Sequence, residues 1–179
     1  MSKFNISDFN YTDEQCAIMN SQQTVVIPVY GSTYFVNESN LLKYLQNCDK
    51  VINVQLHFLN CCMGLENRFK NEHKFIVPKN CKKLQLNFTG MSPFNPEGDT
   101  KNHPKSYPEI EFNNSLEILE VYHNFPITQQ KIKQIFNSFP VSLKSMTISY
   151  CEYFDEDDKK NITNILESML PYGCTINFD

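Results

Sequence analysis

Two segments of the chain share one spacing of apolar residues. Leu116-Glu117-Ile118-Leu119-Glu120-Val121-Tyr122-His123-Asn124 is apolar at its first, fourth and sixth places and has Asn at its ninth. Leu143-Lys144-Ser145-Met146-Thr147-Ile148-Ser149-Tyr150-Cys151 repeats the pattern and ends in Cys. Alternation across places four to six is the period of a strand with one buried face, so positions 4 and 6 point inward and position 5 outward. The Asn or Cys at position 9 helps turn the chain and satisfy inner backbone groups. Weaker copies fit the same frame. Val51-Ile52-Asn53-Val54-Gln55-Leu56 is followed by Asn60 and Cys61 just past the turn, and Cys81-Lys82-Lys83-Leu84-Gln85-Leu86 has Thr89 at position 9. In residues 171–179, Pro171 falls at position 1 and Cys174 and Ile176 at positions 4 and 6. Residues 24–29 read as a further strand about one period before Val54.

Between the strands the apolar period changes to that of a helix. Residues 157–170 place Ile162, Ile165, Leu166, Met169 and Leu170 on one face, behind an acidic start that complements a helix N-terminus. Residues 128–139 do the same with Ile132, Ile135, Phe136 and Phe139, and Thr128 is the cap. A shorter helix is predicted over 40–48, and Thr12-Asp13-Glu14-Gln15 opens another to about Met19. Residues 59–77 are expected to hold only a turn or two of helix. Residues 90–108, with four prolines, are expected to form an irregular loop.

The LxxLxLxxN/C spacing resembles the leucine-rich repeat family, most closely its ribonuclease-inhibitor-like and cysteine-containing branches, over roughly residues 24–179. The resemblance implies an α/β fold: a leucine-rich-repeat solenoid with a concave parallel β-sheet of five to six strands and convex helices or loops. Residues 1–23 would be an N-terminal capping segment. The steps between position-4 residues run from 27 to 35, which suits the long repeat type with a returning helix. The family uses its concave sheet as a binding surface.

Composition narrows the function. The 179 residues carry a net charge of −4 with scattered lysines, which is not a nucleic-acid or anionic-membrane footprint. The first residues lack an apolar leader, and no run is long and apolar enough to span a membrane. Seven cysteines, with Cys61 beside Cys62, point to reduced thiols in a cytoplasmic setting, a nuclear one being open. No glycosylation is expected at the Asn-x-Ser/Thr triplets of so Asn-rich a chain.

Stacking the repeats in this frame builds columns. Position 8 gives Phe58, Phe88, His123, Tyr150 and Phe178; position 7 includes His57 and Tyr122; position 5 includes Gln55, Gln85 and Glu120. Read as solvent-facing, these are aromatics flanked by polar groups, the composition of a protein-binding hot spot. The competing reading tilts position 8 back over the edge of the core. His57, Cys61, Cys62, His73 and Cys81 share one window, but the tight pairs that usually build a zinc site are missing. The run Glu152 to Asp158 lacks the glycine and distal glutamate of a calcium loop and reads as a solvated helix start.

The expected function is therefore a non-catalytic module that binds a protein partner, without metal or cofactor. Two alternatives stand beside it. One is a small enzyme using Cys61 or Cys62 with His57 or His73 as base and an acid such as Glu66 to orient it. The other is a purely structural spacer. An uncapped last strand after Ile176 also raises self-association through that edge. Thiol alkylation kinetics test the enzyme: the binding module predicts ordinary rates at every cysteine, and one fast, low-pKa thiol would favour catalysis.

Overall fold

Strand alternation puts apolar residues on one side of a parallel sheet, and the computed structural model shows where that sheet lies. It describes residues 12–30, 44–59, 74–89, 109–123, 125–126, 128–150 and 154–179. In chain order the elements are α1 (Asp13–Ser21), β1 (Thr24–Tyr30), β2 (Asn53–Leu59), β3 (Lys74–Ile76), β4 (Lys83–Asn87), β5 (Glu109–Glu111), β6 (Ile118–Tyr122), α2 (Gln129–Ile135), β7 (Ser145–Ser149), α3 (Glu156–Glu167) and β8 (Thr175–Phe178). The main sheet is parallel, with six strands in the order β1-β2-β4-β6-β7-β8. The fold is α/β.

The register aligns one inward residue from each strand. Val25, Val54, Leu84, Leu119, Met146 and Ile176 sit side by side, as do Ile27, Leu56, Leu86, Val121, Ile148 and Phe178. In β1 to β7 both rows are buried, and Ile176 and Phe178 of the edge strand pack against the same core half-covered. Each such side chain contributes roughly 1.5–3 kcal/mol on burial.

This register corrects the frame of the last repeat. Ile176 pairs with Met146 and Phe178 with Ile148, so Ile176 holds position 4 and Phe178 position 6. Cys174 precedes the strand and closes the Pro171 turn, its N–H donating to Pro171 O at 3.1 Å. Phe178 is thus an inward residue and not part of the position-8 column. Equivalent turns precede other strands: Cys81 N–H donates to Pro78 O at 2.9 Å and Leu143 N–H to Pro140 O at 3.1 Å. Polar side chains tie neighbouring turns together, with Asn80 donating to Asp49 at 3.1 Å and Ser142 to Leu116 O at 2.7 Å.

The helices follow their caps. Thr128 accepts from Lys131 N–H, and Asp155 accepts from Asp158 N–H at 2.8 Å. α2 buries Ile132 and Ile135, and α3 buries Ile162 and Leu166, against the same core. α2 ends at Ile135, well short of Phe139. Phe136 leaves helical backbone there, and Phe136 and Phe139 stack on Phe112 at 5.7 and 5.6 Å. Of the 40–48 helix, Tyr44 and Leu45 are helical among the described residues.

A second departure is the two-stranded parallel sheet of β3 and β5. Lys74–Ile76 lies in a stretch read as short helix. It forms a strand because Phe75 and Ile110 pair and bury together, and Phe75 meets Phe58 of the main sheet edge-on at 5.9 Å. Residues 90–108, expected to form a loop, lie outside the described residues.

The Phe88 ring packs at 5.0 Å, tilted, against Phe58 in the middle of this core. Phe88→Ala is expected to lower unfolding stability by about 3–5 kcal/mol in urea titration, whereas Tyr172→Ala, at a fully exposed turn residue, should stay within about 0.5 kcal/mol.

Candidate binding face on the six-stranded sheet

Residues between the inward rows stand on the opposite face of the sheet. Gln55, Gln85, Glu120 and Thr147 align in register, as do His57, Asn87, Tyr122 and Ser149. All of these side chains are half-buried except Ser149, which is buried.

Glu120 is the centre of this face. Its Oε1 lies 2.7 Å from Lys83 Nζ. Its Oε2 accepts from the Tyr122 hydroxyl at 2.8 Å and from the Gln85 amide. Burial raises the Glu120 pKa, but hydrogen bonds from Gln85, Lys83 and Tyr122 and the Lys83 charge outweigh it and hold the carboxyl below its ordinary range. Burial, followed by the Glu120 carboxylate, pushes the Tyr122 hydroxyl up to about 12. Charge-assisted hydrogen bonds are among the stronger ones, so this patch is held in one arrangement.

Position 8 divides into two kinds. Phe58 and Phe88 are 0% exposed. β2 runs through Phe58 to Leu59, so its alternation carries Phe58 inward with Val54 and Leu56. Phe88 N–H continues the ladder onto Tyr122 O at 2.9 Å, and the ring stays inside. Both were expected on the solvent face, and the structure corrects that placement. His123 and Tyr150 differ. Their φ angles are +59° and +57°, the left-handed region, which costs a non-glycine residue roughly 1–2 kcal/mol. Here the chain turns, and Tyr150 stands out at 58% exposure with half-buried His123 stacked on it at 4.8 Å and 11°. Tyr122 lies 6.1 Å from Tyr150.

Of the sequence-predicted residues, the structure therefore gathers Gln85, Glu120, Tyr122, His123 and Tyr150 on one outward patch. Gln55 and His57 lie one strand away, in register with Gln85 and Asn87. Phe58, Phe88 and Phe178 belong to the interior. Lys83 was missed. Its signal was present at outward position 3, beside the strand that carries Glu120.

Three of the described cysteines have thiols held protonated by burial. Burial pushes the Cys81 thiol up to about 12 and raises Cys48 and Cys174 as well. Cys61, Cys62, Glu66 and His73 lie outside the described residues. Among the described residues no group of three His, Cys, Asp or Glu side chains could hold a metal ion, and no helix is long and apolar enough to cross a membrane. No family model, curated protein or solved structure matches the chain.

The Glu120 network makes stability depend on acid. Because its folded pKa is depressed, its contribution is complete above the unfolded value of about 4.3 and falls away as pH drops through the folded value. Glu120→Gln should lower stability by about 1–2 kcal/mol above pH 5 and flatten the decline of Tm between pH 5 and 3. Thermal unfolding across that range reads both effects. Glu117, also held low by Lys144 and Lys82, leaves part of the slope in place.

Proposed function

We propose that this chain is a leucine-rich-repeat-type solenoid that acts as a non-catalytic interaction module, binding a protein partner through the outward face of its six-stranded sheet. What supports the reading is one observation: a pre-organised patch of Gln85, Glu120, Tyr122, His123 and Tyr150 on adjacent strands β4, β6 and β7. Tyrosines on a rigid frame bring large contact area at low entropic cost. The polar groups beside them already satisfy one another, so docking leaves few of them unpaired. The in-register inward rows and recurrent turns support the solenoid. Local strain at His123 and Tyr150 favours a functional use of the rings, because glycine would hold that backbone without cost.

Photo-cross-linking in an extract of the native source tests the reading. A benzophenone side chain replaces Thr147 on the outward face, or Tyr172 at the exposed turn as a control. A discrete adduct should form mainly from position 147. Equal adducts from both positions would remove the face as the binding surface. No adduct at either would favour a structural spacer.

A further inference from the structure

The aromatic patch has a definite electrostatic character. Three rings from two adjacent strands gather at the C-terminal end of the sheet, Tyr122 and His123 beside Tyr150. An aromatic face carries the negative end of its quadrupole outward, and tyrosine rings attract cations. Tyr122 donates its hydroxyl proton toward Glu120 Oε2 at 2.8 Å, which pushes electron density back into the ring. Exposed Asp179 stands beside Tyr150, whose N–H donates to Asp179 O at 3.2 Å. The Lys83 ammonium lies 2.7 Å from Glu120 Oε1, so its charge is matched within the network. The rings of His123 and Tyr150 lie within 11° of parallel, so one face of Tyr150 carries the flat imidazole stacked on it.

We propose that the ledge formed by Tyr122, His123 and Tyr150 receives an arginine side chain of the protein partner. The guanidinium is planar, permanently charged and weakly hydrated, so it stacks on aromatic faces where a lysine ammonium would act as a hydrated point charge. It would lie over the exposed Tyr150 ring, beside the acidic residue Asp179. This rests on the reading that the outward sheet face binds a partner. It adds the chemistry by which that partner is recognised.

The test uses the full chain and two short probes, acetyl-Gly-Arg-Gly-amide and the same peptide with citrulline, which keeps the shape and loses the charge. NMR titration follows the ring resonances of Tyr122, His123 and Tyr150. Saturable shifts at these rings are expected, with binding about three- to fivefold weaker for citrulline, the range of an exposed cation–π contact. Tyr150→Phe keeps the aromatic face and should keep most of the shift. Tyr150→Asn suits the left-handed backbone, removes the ring and should abolish the shift while the amide spectrum stays folded. Tyr172→Ala should change nothing. Equal affinity for both probes, shifts that survive Tyr150→Asn, or no shift at the rings would each overturn the proposal. A position-147 adduct alongside such a result would leave the binding face standing and remove only its arginine specificity.

Discussion

The structure depends on parallel strands stacked in one register. Each strand presents inward residues at two alternate positions, and each pairing sets the next pair beside the last. The backbone ladder and the apolar core therefore enforce each other: a slip of one residue would turn every inward side chain to solvent. The turns before β4 and β7 are tied by side chains to the segments before β2 and β6, which holds the strand starts level. Phe58, Phe75 and Phe88 close the space behind the first strands, and Phe112, Phe136 and Phe139 do so behind the later ones.

The outward face inherits its geometry from that register. Gln85, Glu120 and Tyr122 meet because β4 and β6 pair Gln85 with Glu120. Lys83 reaches the same carboxylate from two residues upstream. A buried or half-buried charge needs a partner, and here the partners come from the neighbouring strand. The result is a polar patch bonded within itself, with the exposed Tyr150 ring at its rim.

That rim exists because the strands end differently. In β2 the extended backbone carries position 8 into the core. At His123 and Tyr150 the chain turns through left-handed backbone and the rings leave the interior. One column thus takes two forms, buried in the core at the early strands and turned to the surface at the late ones. Cys81 belongs with the buried positions, a small apolar filler with its pKa raised by desolvation.

The amino-acid sequence by itself determined the six strands of the main sheet, the inward positions from Val54 to Ile148, and the capped helices behind Thr128 and Asp155. These are local quantities, set by alternation, helical spacing and a cap within one turn of the chain. It also named most of the patch, since Gln85, Glu120 and Tyr122 sit between inward positions. The tertiary structure alone decided the rest. In the last repeat, Cys174 with Ile176 and Ile176 with Phe178 fit the same alternation equally well, and only pairing with β7 chooses between them. Strand β3 depends on Ile110 and Phe58, both far along the chain. The fate of each position-8 aromatic turns on its backbone: Phe88, His123 and Tyr150 all donate to the next strand or the residue directly after it, but His123 and Tyr150 do so from left-handed φ angles that turn their rings away from the core. Phe88 and Tyr150 occupy the same place in the repeat, and one lies in the core while the other faces solvent.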